Sequence, residues 1–91
     1  MANLKVQRKT LTGDSTAFTF DVVGLKFLVK NMSSHDCLVN FDPIASSNED
    51  TSILIPKDVA QLVLTNEHGP NGSKTIYVKG TGDVEVQVVL W

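Results

Sequence analysis

The chain has a single cysteine, Cys37, among its 91 residues, and only three of its residues are prolines. An intramolecular disulfide is therefore excluded, and the cysteine content gives no sign of an oxidising compartment. No apolar run approaches the ~20 residues that a membrane-spanning helix requires. A formal charge of −2 offers no basic surface to nucleic acid or to an anionic membrane. We therefore expect neither a nucleic-acid partner nor a membrane partner.

The composition is that of an ordinary globular domain, with 42% hydrophobic and 20% charged residues. We expect one domain over residues 1–91, with the first ten or so residues either part of it or an arm. Residues 1–9 contain no apolar segment of the kind found in a signal peptide. We therefore expect synthesis in a cytoplasm.

Short runs of alternating apolar and polar residues recur along the chain, separated by turn residues. The runs cover residues 4–8, 17–22, 25–30, 37–41, 52–55, 59–65, 74–79 and 83–91. A single helical turn from Asp58 remains an alternative for the start of 59–65, because short apolar runs are ambiguous. The pattern predicts an all-β fold, a compact antiparallel β-sandwich or jelly-roll-like barrel of about seven to eight short strands.

Two hairpins follow from the turn residues. Gly80-Thr81-Gly82 separates the last two runs, and glycine readily takes the positive φ of a short hairpin loop. The polar stretch 31–36 likewise predicts a hairpin over residues 25–41.

Period-two alternation also predicts which side chains face the core. The predicted inward residues are Phe18, Phe20, Val22, Leu25, Phe27, Val29, Cys37, Val39, Phe41, Val84, Val86, Val88 and Leu90.

His35, Asp36 and Cys37 place three reactive side chains next to one another. Neighbours on a strand point to opposite faces, so adjacency counts against a catalytic pair. These residues and His68 lack the spacing of a structural zinc site. We expect a buried, inert Cys37 and solvated histidines, with no metal and no cofactor.

Asp42, Glu49 and Asp50 cluster in a polar loop without the residue order of a calcium-binding loop. We expect this loop to be solvated. No acid, base and nucleophile converge, so the sequence predicts that the protein is not an enzyme.

Several runs carry apolar residues on the face that should meet water. These residues are Leu28, Leu38, Ala60, Leu62, Leu64, Tyr77, Val89 and Trp91. A sandwich needs only one apolar face per sheet, so either the assumed register is wrong in places or the surface is buried against another chain. For Trp91, a local lid over the core is the alternative to an interface. The predicted interface consists of Tyr77, Val89, Trp91, Leu62 and Leu64.

Three segments resemble those of small β-rich virion proteins of tailed bacteriophages and prophages. They are Phe27-Leu28-Val29-Lys30-Asn31-Met32-Ser33 continuing to Cys37-Leu38-Val39-Asn40-Phe41, then Ser52-Ile53-Leu54-Ile55-Pro56, and then Ile76-Tyr77-Val78-Lys79-Gly80-Thr81-Gly82 with Val84-Glu85-Val86. The resemblance covers roughly residues 25–91. The proteins that the chain resembles include head-decoration, head-fibre-base and neck accessory proteins.

The resemblance implies a virion structural protein that forms a homo-oligomer, with a trimer as one option, and docks on a phage capsid or neck protein. It implies no catalytic residues. The alternative function is a module that binds a host surface or a carbohydrate, with Tyr77 and Trp91 as its aromatic platforms.

Overall fold

The computed structural model describes residues 6–65 and 72–89. Within them lie six strands and one short 3-10 helix. The elements are β1 (Val6–Gly24), β2 (Lys26–Asn31), β3 (Cys37–Asn40), the 3-10 helix (Glu49–Thr51), β4 (Ile53–Ile55), β5 (Ala60–Leu64) and β6 (Ser73–Val89). About 69% of the described residues are in strands, and none of them forms a helix long and apolar enough to cross a membrane.

Strand β6 is the centre of the sheet. Its residues 73–87 pair with β1 along one edge. Along the other edge it pairs first with β3 and then with β2. Strand β5 adds to β2 and strand β4 adds to β3, and every pairing is antiparallel.

The sheet bends sharply in the middle of its long strands. A straight strand of 17 residues, the length of β6, would extend about 56 Å, whereas the longest dimension of the molecule is 36 Å. Gly24 pairs with Ser73 and Lys26 pairs with Val89, so the two ends of β6 lie within two residues of the same turn. The sheet is therefore folded back on itself.

The bend divides the sheet into two layers. Layer 1 contains residues 6–12 of β1, residues 83–89 of β6, β2 and β5, in that order across the sheet. Layer 2 contains residues 15–24 of β1, residues 73–79 of β6, β3 and β4. Counted along the chain, the two halves of β1, the four strands β2 to β5 and the two halves of β6 make eight strand segments. The first segment pairs with the eighth and the second with the seventh, which is the jelly-roll order. The predicted all-β fold class is confirmed, as a sheet nearly closed into a barrel.

The core lies between the two layers. The ring of Phe27 in layer 1 is 6.0 Å from that of Phe20 in layer 2 and 5.8 Å from that of Phe41, measured between centroids. Most of the predicted inward residues are buried, and Val22 packs against the core. The prediction that Leu25 faces the core is wrong, because Leu25 lies in the turn between β1 and β2 and is 57% exposed. Leu90 lies outside the described residues.

Both predicted hairpins are wrong. Residues 74–79 and 83–89 are two halves of one strand, and Gly80-Thr81-Gly82 is the point at which β6 bends. Strands β2 and β3 do not pair with each other but lie end to end along β6. The glycines are needed where the 32–36 connection crosses the bend, because a Cβ on Gly82 would lie 2.5 Å from the Cβ of Ser33.

Candidate interaction surface

The outer face of layer 1 carries a row of leucines. Leu28 of β2 lies directly opposite Leu62 of β5, and both side chains point away from the core because Phe27, Val29 and Val63 point into it. Leu62 is 48% exposed, and Leu64 lies beyond it on the same face. We call Leu28, Ala60, Leu62 and Leu64 the outer patch.

A charged row borders the outer patch on three adjacent strands. The Glu85 carboxylate is 2.7 Å from Arg8 Nη2 and 3.0 Å from Lys30 Nζ. Hydrogen bonds lower the pKa of the Glu85 carboxyl below its ordinary value. The bond from Arg8 makes the largest contribution and the bond from Lys30 the next largest. The Glu85 charge is therefore satisfied within layer 1, and a partner that covers the outer patch need not neutralise it.

A shallow groove of about 250 Å³ continues the outer patch at the start of β5. It is lined by Lys30, Asn31, Met32, Asp58, Val59 and Ala60. Met32 and Val59 are large apolar side chains that are 41% and 38% exposed. Asp58 has a φ of 59° and lies in the tight turn that precedes β5. The apolar surface therefore extends beyond the strand itself.

The predicted interface residues do not all lie together. Leu62, Leu64 and Val89 are on the outer face of layer 1, with Val89 only 8% exposed. Tyr77 is in layer 2, between Ala17 and Asn40 on the neighbouring strands. Trp91 lies outside the described residues. The structure therefore separates Tyr77 from the leucines with which the sequence grouped it.

The loop after β3 folds back onto layer 2, the layer that carries Tyr77. The Ile44 N–H donates to Ser15 Oγ at 2.9 Å, Lys79 Nζ contacts Glu49, and Asn40 Nδ2 donates to Ser52 Oγ at 3.0 Å. Ile44, a residue of this loop, is buried, against the expectation that residues 42–51 are simply solvated. Tyr77, which is half-buried, offers only part of its ring to an external partner.

The structure does not bring the reactive residues near the bend together. His35 is exposed, with its Nδ1 3.3 Å from Ser34 Oγ, whereas Cys37 is buried in the core. Asp36 accepts a hydrogen bond from the Lys57 N–H. In the part of the chain that the structure describes, no three metal-ligating side chains come together. His68 lies outside those residues.

The Cys37 thiol should be almost unreactive in the folded protein. Burial, with a smaller contribution from the nearby Asp36 carboxylate, raises its pKa from 9.0 to about 11. At pH 8 the thiolate is then about 100-fold scarcer than in the unfolded chain, and we expect alkylation by iodoacetamide to be slower by at least about that factor. The measurement is the labelling rate in native buffer and in urea, and equal rates would contradict the burial.

The same shift sets a pH dependence of stability. The folded state holds the Cys37 thiol proton more tightly than the unfolded chain does. The contribution of this proton to the free energy of unfolding is therefore complete below pH 9.0. It is lost as the pH rises from that value towards about 11.

One buried polar cluster was missed by the sequence analysis. Asn31 is 2% exposed, and its Nδ2 lies 2.8 Å from the carbonyl of His35, 3.1 Å from that of Ile55 and 3.2 Å from that of Pro56. Its Oδ1 accepts from the N–H and the hydroxyl of Ser33. Its only sequence signal is a polar residue at an inward position, in phase with Phe27 and Val29.

Comparisons of the chain with protein families, with characterised proteins and with solved structures find no match.

Proposed function

We propose that the chain is a non-enzymatic structural protein of a tailed-phage particle, which oligomerises and docks on the capsid or on the head–tail neck. The observation that carries the proposal is the outer patch. The outer face of an antiparallel sheet normally carries polar residues, yet here Leu28, Leu62 and Leu64 lie side by side on two paired strands.

Burial is the mechanism that this surface can supply. Covering apolar area gains roughly 25 cal/mol per Å² before the costs of association. The bordering row of Arg8, Glu85 and Lys30 is already paired, so a partner can cover the leucines without leaving these three charges unpaired.

The fold is compatible with this role but does not select it. Jelly rolls occur in viral capsid domains and also in lectins, so the likeness is one of fold alone. The carbohydrate-binding alternative has less support, because Tyr77 is half-buried in layer 2, which carries the folded-back loop.

Co-sedimentation with phage particles tests the proposal. The chain would be co-expressed with the structural genes that neighbour its own gene, and the assembled particles would be separated on a density gradient. We expect the chain in the particle fraction at a fixed ratio to the capsid protein.

Two leucine variants make that experiment specific to the outer patch. Leu62→Lys should remove the chain from the particle fraction. Leu54→Lys should not, because Leu54 is similarly exposed, at 55%, but lies on β4 of layer 2. A wild-type chain that stays at the top of the gradient would count against the proposal.

A further inference from the structure

The outer edge of strand β5 carries a row of backbone groups that no described strand lies beside. The Asn31 N–H donates to the Val59 carbonyl and the Thr65 N–H donates to the Leu25 carbonyl, at 3.0 Å each. In an antiparallel ladder the bonded positions alternate. The N–H and C=O of Ala60, Leu62 and Leu64 therefore point away from β2, and no described residue pairs with them.

The other sheet edges in the described part of the chain carry the usual protection against further pairing. Strand β4 has only three residues and is followed by Pro56. Strand β1 carries charged residues, and its Lys9 donates across to the Ala17 carbonyl at 2.7 Å. Residues 60–64 of β5 contain no charge, no proline and no bulge. This edge therefore lacks the features that prevent strand addition.

We infer that β5 pairs with β5 of a second copy of this chain, antiparallel about a two-fold axis at Leu62. This deepens the proposed function, on which it rests for its biological setting, by naming the partner and the contact. Each copy has the same outward N–H and C=O at three alternate positions, so the two edges match and form about six hydrogen bonds. The pairing joins the two copies of layer 1 into one continuous sheet.

Side-chain pairing in this register is also favourable. Leu62 lies opposite the second copy's Leu62, and Ala60 lies opposite its Leu64. No charge faces a like charge, because residues 60–64 carry none. The small Ala60 borders the groove with Val59 and Met32, so Leu64 of the second copy lies against apolar surface. A two-fold contact of this kind closes on itself and yields a dimer, which favours a dimer over the trimer option.

A proline substitution tests the edge directly. Leu62→Pro removes an N–H that points outward, so the ladder to β2 keeps its hydrogen bonds. We expect sedimentation at high micromolar concentration to give a dimer for the wild type. For Leu62→Pro we expect a folded monomer, with dimerisation weakened by about 100-fold or more. Circular dichroism would establish that the variant is folded.

A dimer that instead packed the two outer patches face to face would respond differently to substitutions. Leu28→Lys alters the outer patch on the inner strand β2 and leaves the β5 edge intact. If Leu28→Lys abolished the dimer while Leu62→Pro preserved it, the edge pairing would be overturned and burial of the outer patch would stand.

Cross-linking gives a second measurement that does not depend on a proline. Paired residues at the two-fold axis have Cα atoms about 5.5 Å apart, within disulfide range. Leu62→Cys should therefore form a covalent dimer on mild oxidation. Leu54→Cys on layer 2 should not, and Cys37 is buried.

The two proposals can fail separately. A wild-type chain that is monomeric at every concentration overturns the self-pairing and the oligomerisation, whereas co-sedimentation of the same chain with particles would still support docking. A dimer linked through Leu62→Cys supports the pairing, even if the chain never enters the particle fraction.

Discussion

Gly82→Ala should destabilise the protein by about 3 kcal/mol or more, which is a large part of the 5–10 kcal/mol expected for a domain of this size. Gly82 has a φ of 94°, where any other residue is strained by about 1–2 kcal/mol. The added Cβ would also lie 2.5 Å from the Cβ of Ser33, and relieving that overlap requires a backbone shift of the 32–36 connection. The measurement is the free energy of unfolding in urea.

Gly13 provides a matched control for this prediction. Its φ is 101°, so alanine meets similar backbone strain, but no atom lies within 4 Å of the added Cβ. We expect Gly13→Ala to cost only about 1–2 kcal/mol. Equal losses at the two glycines would mean that the close approach to Ser33 contributes nothing.

Asn31→Ala should have an effect of the same order, about 3–5 kcal/mol. The substitution leaves the carbonyls of His35, Ile55 and Pro56 without this donor and removes the acceptor for Ser33. Each buried polar group left unsatisfied costs about 1–3 kcal/mol. The thermal midpoint should fall by more than about 12 °C, given about 4–8 °C per kcal/mol for a domain of this size.

Asn40→Ala is the control for this second prediction. Asn40 is half-buried, and its amide also bridges backbone and side chain, donating to Ser52 and accepting from the Asp42 N–H. Its partners lie near the surface, where water replaces the lost bonds, so a loss of about 1 kcal/mol is expected. A small effect at Asn31 would show that water can also replace the amide at the bend.

The alternation of side chains was enough to predict the fold class and most of the core. Val84, Val86 and Val88 are buried as the period-two pattern requires, and so are Phe18 and Phe20. This succeeds because burial of alternate residues is a local property of a strand.

Strand pairing could not be predicted in the same way. The pairing of β1 with β6 joins the two ends of the chain, and no local signal records it. Gly80-Thr81-Gly82 has the residues of a hairpin turn, yet a bend in a continuous strand needs the same positive φ at Gly82. Local turn chemistry therefore suggested two hairpins. The long-range pairing instead produces one bent strand, β6, and two separate strands, β2 and β3, that lie end to end along it.

The candidate surface was predicted only in part. The excess of outward apolar residues at Leu62 and Leu64 is visible in the sequence, because residues 59–65 are apolar on both faces. Which of these residues share a face depends on the register between β5 and β2 and on the division into layers. That division is what separated Tyr77 from the outer patch.

The central position of β6 has a consequence for synthesis on the ribosome. Both layers lack their middle strand until residues 73–89 have been made, and the partners of those residues were translated long before. Pairing over such long separations in sequence is slow, because the chain must first lose the entropy of large loops. We therefore expect folding of the nascent polypeptide to await the emergence of residues 73–89 from the ribosome.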